Sequence, residues 1–230
     1  MKIAIIVAMQ KELNLLLQQL ETRTEQVIDD LTIYQGSLSG HDVIVAQCGI
    51  GKVNAALRTW NIIETCHPDL IINSGVAGGV DRSMAIGSIL VADRVAYHDV
   101  WCGPGTIIGQ ADSCPLFFLP SDSALAIMHH IADTSSLDIR FGLLCSGDSF
   151  ISTPEQVVKI KSAFDDALGC DMESAAIAHT CHKRGVPFMI VRVMSDMPGG
   201  EDNISQYQNF WNDAPAHTFA VVRELIDNLR

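Results

Sequence analysis

Glu12, Asp171, Glu173 and Asp196 each follow an apolar, strand-like run in a chain where charge is scarce. Glu12 stands in the first turn after the run 2–8, and Asp171 and Glu173 flank Met172 after a short run that ends near Cys170. Asp196 closes the apolar run VPFMIVRVMSD. Helix-covered sheets bind ligands at the carboxyl ends of their strands, so these acids are expected to meet at one place. Carboxyls gathered in an apolar setting suit general acid–base work, because burial raises their pKa toward neutrality. Each acid also has a plainer reading. Glu12 would favour a helix N-terminus by about 0.3–1 kcal/mol, Asp171 or Glu173 would cap the next helix, and Asp196 would open a turn. Those readings weaken when they must all explain one shared location. Arg192 strengthens the case: a cation inside an apolar strand needs a carboxylate, because an unpaired buried charge is costly. Glu173 or Glu12 is expected to supply it.

The competing motifs are poorer. GIGKVNA (49–55) has G-x-G before a helix but not G-x-G-x-x-G, and Lys52 does not complete a P-loop. His179 and His182 lie three apart with Cys181 between them, and no H-E-x-x-H is present, so a surface helix accounts for them. Ser149 and Ser195 lack the G-x-S-x-G elbow of serine hydrolases.

The elements that must position the acids alternate between strand and helix. Strands are expected at 2–8, 31–38, 42–48, 69–73, 88–95, 139–145, a short run ending at 170, and 187–194, with Ser39-Gly40 turning a hairpin. Helices are expected at 10–20, 53–66, 119–132, 153–163, 174–183 and 214–229, with Thr153-Pro154 starting one and Gly185 ending another. Gly-rich turns are expected at CGIGKVNAA (48–56) and NSGVAGG (73–79). The irregular, Gly- and Pro-rich stretches 99–115 and 197–203 are expected as loops and candidate lids. This pattern implies a three-layer α/β/α sandwich around a central mixed sheet, as one domain spanning 1–230.

Composition bounds the function. With 48% hydrophobic and 18% charged residues in 230, the chain can bury a sizeable core and is not a disordered one. A formal charge of −12 and no Lys/Arg cluster argue against nucleic acid as a partner. The seven cysteines are scattered, with no C-x-x-C pair, which fits reduced thiols in a cytoplasm. The N-terminal apolar run is short, shows no clear cleavage site and leads into an amphipathic helix, so no signal peptide is expected, and no run approaches the length of a membrane span.

Five ordered blocks, IIVAMQKEL, GIGKVNAA, NSGVAGG, GDSFI and DMESAAIAHTCHKRGVPFMIVRVMSD, span nearly the whole chain. Together they resemble the 5′-methylthioadenosine/S-adenosylhomocysteine nucleosidases of the purine nucleoside phosphorylase superfamily. The resemblance implies a nucleoside phosphorylase-like fold, a homodimer, and hydrolysis of an adenine N-glycosidic bond with no metal or cofactor. It implies Asp196 as the acid at adenine N7 and Glu12 as the base that activates water. It implies that Glu173 holds a ribose hydroxyl, that Met172 lies against the sugar, and that Arg192 helps hold Glu173 and the water. Phe150 would stack on adenine, the Ile151 backbone would read its edge, Ile50 and Met9 would wall the pocket, and Val76 and Ser195 would complete the binding residues. Asp171 is expected to hold structure.

The chain departs from that family at two places. Val76 stands where the family usually carries a Ser near the ribose. The 99–115 loop lacks the Phe/Tyr-rich character that covers the 5′ group from the partner subunit, with Trp101 as a substitute and Tyr207 and Phe210 as further candidates. Phosphorolytic relatives carry an Arg in the early loop and another before the NSGVAGG-like turn, where this chain has AMQKE and Asn73. Water is therefore the expected nucleophile, and Lys11 the one nearby cation. The alternatives are a phosphate-dependent nucleoside phosphorylase, a futalosine-type nucleosidase, and, least favoured, a non-catalytic nucleoside binder.

Overall fold

The computed structural model describes residues 1–28, 30–200, 202–213 and 215–230. Its strands are β1 (Lys2–Val7), β2 (Arg23–Ile28), β3 (Leu31–Leu38), β4 (His41–Gln47), β5 (Leu70–Gly79), β6 (Ile89–Tyr97), β7 (Ile139–Ser146), β8 (Ala167–Asp171) and β9 (Phe188–Asp196). Its helices are α1 (Gln10–Leu17), α2 (Lys52–Cys66), α3 (Asp122–Thr134), α4 (Pro154–Ala163), α5 (Ser174–Arg184), α6 (Asn203–Asp213) and α7 (Pro215–Asn228). One mixed sheet runs β2-β3-β4-β1-β5-β8-β7-β6-β9.

Strand periodicity explains the apolar runs. In β1, Ala4 and Ile6 enter one core while Ile3, Ile5 and Val7 enter the other. A strand covered on both faces has no polar side to alternate with, so it reads as continuously apolar. The first core is closed by α2 and α5, through Ile62, Ile63, Ala175, Ile177 and Cys181. The second is closed by α1, α3 and α7, through Leu13, Leu16, Met128, Ile131, Val222 and Leu225. The β3–β4 hairpin turns at Ser39 (φ 53°) and Gly40 (φ 78°). That is the left-handed pair a two-residue hairpin needs. Helix α4 opens with a Thr153/Gln156 capping box, and α5 closes on a left-handed Gly185.

Several boundaries differ from the sequence expectation. NSGVAGG is not a turn: β5 continues through it to Gly79, pairing with β9 up to Gly78↔Asp196 and with β8 at Gly78 and Gly79. Because β9 also pairs β6, strands β5, β8, β7, β6 and β9 close into a ring, which the alternation of elements does not foretell. Two elements have no counterpart in the expectation. β2 (RTEQVI) is an exposed edge strand with little apolar signal, and α6 fills the stretch between the loop expected at 197–203 and the terminal helix expected from 214. α1 stops at Leu17 and α3 starts at Asp122, after the Ser121 cap. Among the described residues, no helix is long and apolar enough to cross a membrane, and all seven cysteines are free thiols.

Candidate active site

The carboxyl ends of β1, β5, β8 and β9 meet at a cleft of about 680 Å³. Glu12, Glu173, Arg192, Asp196, Met9, Ile50, Val76, Phe150, Ile151, Met172 and Ser195 all line it. So do Asp171, Ser149, Cys170, Pro198 and Tyr207.

Glu12 is held by backbone. Its Oε2 accepts the N–H groups of Ala8 (3.0 Å) and Met9 (2.9 Å), and its Oε1 accepts the N–H of Val76 (3.2 Å). Gly75 makes room for it: a Cβ there would come within 2.6 Å of Glu12 Oε1. Burial pushes the Glu12 carboxyl up, against the pull of Arg192 and the three N–H groups.

Asp196, at the end of β9, is also buried and also pushed up by burial. Ser195 Oγ lies 2.6 Å from its Oδ1, and Asn203 Nδ2 donates to its Oδ2. Both bonds favour the carboxylate, and burial outweighs them. Glu173 immediately precedes α5 and accepts the Gly51 N–H (2.9 Å) on Oε1, which leaves Oε2 without that constraint. Burial, then the neighbouring Asp171, raise the Glu173 carboxyl to about 7.

Arg192 corrects one expectation. Its ion-pair partner is Asp171, at 3.0 Å from Nε, not Glu173 or Glu12. The rest of the guanidinium donates to Ser174 Oγ (2.8 Å), Asn73 Oδ1 and Val191 O (3.2 Å). With the side chain 2% exposed, this network answers the cost of burying a cation. Arg192 reaches Glu12 and Glu173 through its charge, favouring both carboxylates. Asp171 also accepts from Ser146 Oγ (2.5 Å) and from the Ser174 backbone N–H, so it caps α5 where Glu173 makes no cap bond.

The cleft mouth is aromatic and thioether. Phe150 meets Tyr207 edge-on at 5.5 Å between centroids, and Tyr207 Oη donates to Met9 Sδ at 3.3 Å. Lys11 does not face the cleft; its Nζ sits 5.3 Å over the Trp211 ring. His179 is not a plain surface residue either. It is half-buried, stacks on Phe118, and hydrogen-bonds Tyr97 Oη and Cys114 Sγ, each at 3.1 Å. Among the described residues, no cluster of His, Cys, Asp and Glu is arranged to hold a metal ion.

Comparison with known proteins decides the family. A sequence profile of the phosphorylase superfamily matches residues 2–227. The 5′-methylthioadenosine/S-adenosylhomocysteine nucleosidase of Haemophilus influenzae (strain PittEE) is 37% identical over 230 residues, covering all of both chains. The chain belongs to the 5′-methylthioadenosine/S-adenosylhomocysteine nucleosidases of the phosphorylase superfamily. The solved structures agree. A Streptococcus pyogenes S-adenosylhomocysteine nucleosidase in complex with 5-methylthiotubericidin superposes with a TM-score of 0.96 at 35% identity, covering 100% of this chain and 98% of that one. A Neisseria meningitidis 5′-methylthioadenosine/S-adenosylhomocysteine nucleosidase in complex with methylthio-immucillin-A gives 0.95 at 32% identity, covering 99% of each.

Within this nucleosidase fold the two sequence departures take physical form. Val76 packs against the core shared with α1 and α7, and its backbone N–H serves Glu12. Trp101 is 59% exposed and does not line the cleft of its own chain. Sequence reasoning missed Asn203, the buried partner of Asp196. The signal available was a single Asn just past a Gly-rich stretch, in a segment with weak periodicity.

Proposed function

We propose that this protein hydrolyses the N-glycosidic bond of adenine nucleosides modified at the 5′ position, with 5′-methylthioadenosine and S-adenosylhomocysteine as substrates. The observation that carries this reading is that Glu12 and Asp196 open onto one cleft and burial raises both carboxyls. As C1′–N9 breaks, its electron pair goes to the purine and positive charge builds on the sugar. Asp196, neutral, gives its proton to purine N7. Glu12, ionised and fixed by three backbone N–H groups, takes a proton from the water that attacks C1′. Glu173 Oε2 accepts from a ribose hydroxyl, and its charge stabilises the oxocarbenium-like sugar. Phe150 stacks on the base, the Ile151 backbone reads its edge, and Met172, Met9 and Ile50 enclose the sugar and the 5′ group. Arg192 holds Asp171 and biases Glu12 and Glu173 toward the charged form.

Water rather than phosphate is the nucleophile in this reading. Arg192 is the one Lys or Arg among the described residues lining the cleft, and four of its hydrogen bonds are made inside the protein. A phosphate needs charge-assisted donors that are free to turn toward it. The test is adenine release from 5′-methylthioadenosine in phosphate-free buffer. The expected products are adenine and the free 5-methylthio sugar; strict dependence on phosphate, with a sugar 1-phosphate as product, would count against the reading.

We also propose that the protein works as a homodimer. Helix α2 exposes Val53, Leu57 and Trp60, and the 99–115 loop exposes Trp101, Ile107 and Ile108. Exposed apolar side chains on this helix and this loop suit a subunit interface. In this reading the loop reaches the partner's cleft and covers the 5′ group. Leu57→Asp should convert a dimer to a monomer in sedimentation equilibrium; a monomeric wild type would refute the arrangement.

A further inference from the structure

Asn203 is 1% exposed, and its amide has one committed and one uncommitted end: Nδ2 donates to Asp196 Oδ2, while Oδ1 has no hydrogen-bond partner among the described residues. A buried, unpaired amide oxygen costs free energy, so the side chain is held there by what its N–H does. One face of α6 docks it. Gln206 Oε1 accepts the Met197 N–H at 2.9 Å, and Tyr207 Oη reaches Met9 at 3.3 Å, so residues 203, 206 and 207 seat the helix against the strand end that carries Asp196.

The other oxygen of Asp196 has a different environment. Ser195 Oγ lies 2.6 Å from Asp196 Oδ1 and 3.3 Å from the carbonyl oxygen of Ala77. A hydroxyl carries one proton and can accept as well. It therefore donates to Oδ1 when Asp196 is ionised. When Oδ1 carries the proton, the hydroxyl donates to the Ala77 carbonyl oxygen and accepts from Oδ1.

We propose that Asn203 is the positioning residue for the catalytic acid: by committing Asp196 Oδ2 as an acceptor, it assigns the transferable proton to Oδ1, with the Ser195 hydroxyl as the rotor that follows the transfer. This rests on the reading of Asp196 as the acid. In the step, the proton leaves Oδ1 for purine N7, the C1′–N9 pair goes to the purine, and Ser195 swings its O–H from Ala77 to the new carboxylate. Oδ2 keeps the Asn203 N–H throughout. The Asn203 bond favours the ionised form and so opposes the burial that raises Asp196. Among the described residues, Cys170 of β8 and Tyr207 of α6 sense Asp196, both pushed up by burial and neutral in the working range, and Glu12, Asp171, Glu173 and Arg192 share its cleft.

The experiment is the pH profile of adenine release, kcat and kcat/KM separately, for the wild type, Asn203→Leu, Asn203→Asp and Gln206→Ala. Without the amide, Asp196 should hold its proton to higher pH, moving the alkaline limb up by about one unit. At the same time kcat should fall roughly tenfold, more than KM changes, because the proton is no longer confined to one oxygen. Asn203→Asp, nearly the same shape, should move the limb further, since two facing carboxyls share a proton. Gln206→Ala loosens α6 without touching Asp196 and should leave the limb in place. Wild-type limbs in both Asn203 variants, or an equal shift in Gln206→Ala, would overturn the assignment. A wild type that releases no adenine overturns the acid reading itself, and this inference with it.

Discussion

A buried guanidinium serves a ligand or serves the fold, and Arg192 serves the fold first. Asp171, Ser174, Asn73 and Val191 take its hydrogen bonds, and its charge reaches Glu12 and Glu173 across space. Gly75 shows how little tolerance that leaves. It pairs with Arg192 across the sheet, and a Cβ on it would intrude to 2.6 Å from Glu12 Oε1 and 3.6 Å from the Arg192 guanidinium. Contact below 3.0 Å requires something to move, and the carboxylate is the movable group. Gly75→Ala should therefore displace the proposed base and lower kcat by about 10²-fold, the scale of a misplacement near 1 Å. The protein should still fold, so a cooperative melt near the wild-type temperature should accompany the slow rate. An unimpaired Gly75→Ala enzyme would show that Glu12 need not sit where it does.

At the scale of elements, legibility followed burial. β1 and β9 lie inside the sheet with both faces covered, and their apolar sequences, broken in β9 by Arg192, announced them. α4 and α5 announced their ends through Thr153, Pro154 and Gly185, whose local geometry needs no tertiary partner. NSGVAGG misled because its glycines are there for what approaches them, Glu12 at Gly75 and Pro198 and Met197 at Gly78 and Gly79, not for a turn. β2 is polar because it is an exposed edge, and a polar strand looks like a loop in sequence. For the site, the type and place of each acid were readable from the strand ends. Pairing was not: Asp171 and Glu173 are two residues apart, and only the course of β8 into α5 decides which one meets Arg192 and which one meets Gly51. Asn203 was invisible because its partner lies in another element and α6 has little apolar pattern of its own.

For the whole molecule, the raised acids carry a stability cost that depends on pH. Glu12, Glu173 and Asp196 have folded pKa values above their ordinary ones. Such groups bind more protons folded than unfolded, so their contribution is full below the ordinary carboxyl pKa and is lost as pH rises through the folded value, about 7 for Glu173. Asp81, held down to about 2 mainly by Lys161, works the other way, and its contribution is lost only in strong acid. His98 and His179 are lowered by burial, so their contributions grow with pH up to the ordinary His value and then stay level. Above that value the acids dominate, and the formal charge of −12 adds self-repulsion. The ligand-free protein should therefore melt at a lower temperature at pH 8 than at pH 6.5. Glu173→Gln should flatten that decline, at about 2–4 °C for each kcal/mol removed. Equal declines in the wild type and Glu173→Gln would mean that Glu173 does not titrate near neutrality in the folded state.

In this reading Asp196 is the group whose proton lets the purine leave, and comparing Asp196→Asn with the wild type tests that role most directly. Asparagine fills the same space and can still hydrogen-bond the purine, but it has no proton to give up. Adenine release from 5′-methylthioadenosine should fall by about 10²–10⁴-fold, the usual range for a lost general acid, while equilibrium binding of the nucleoside persists. Release within a few-fold of the wild-type rate would contradict the assignment of Asp196 as the acid.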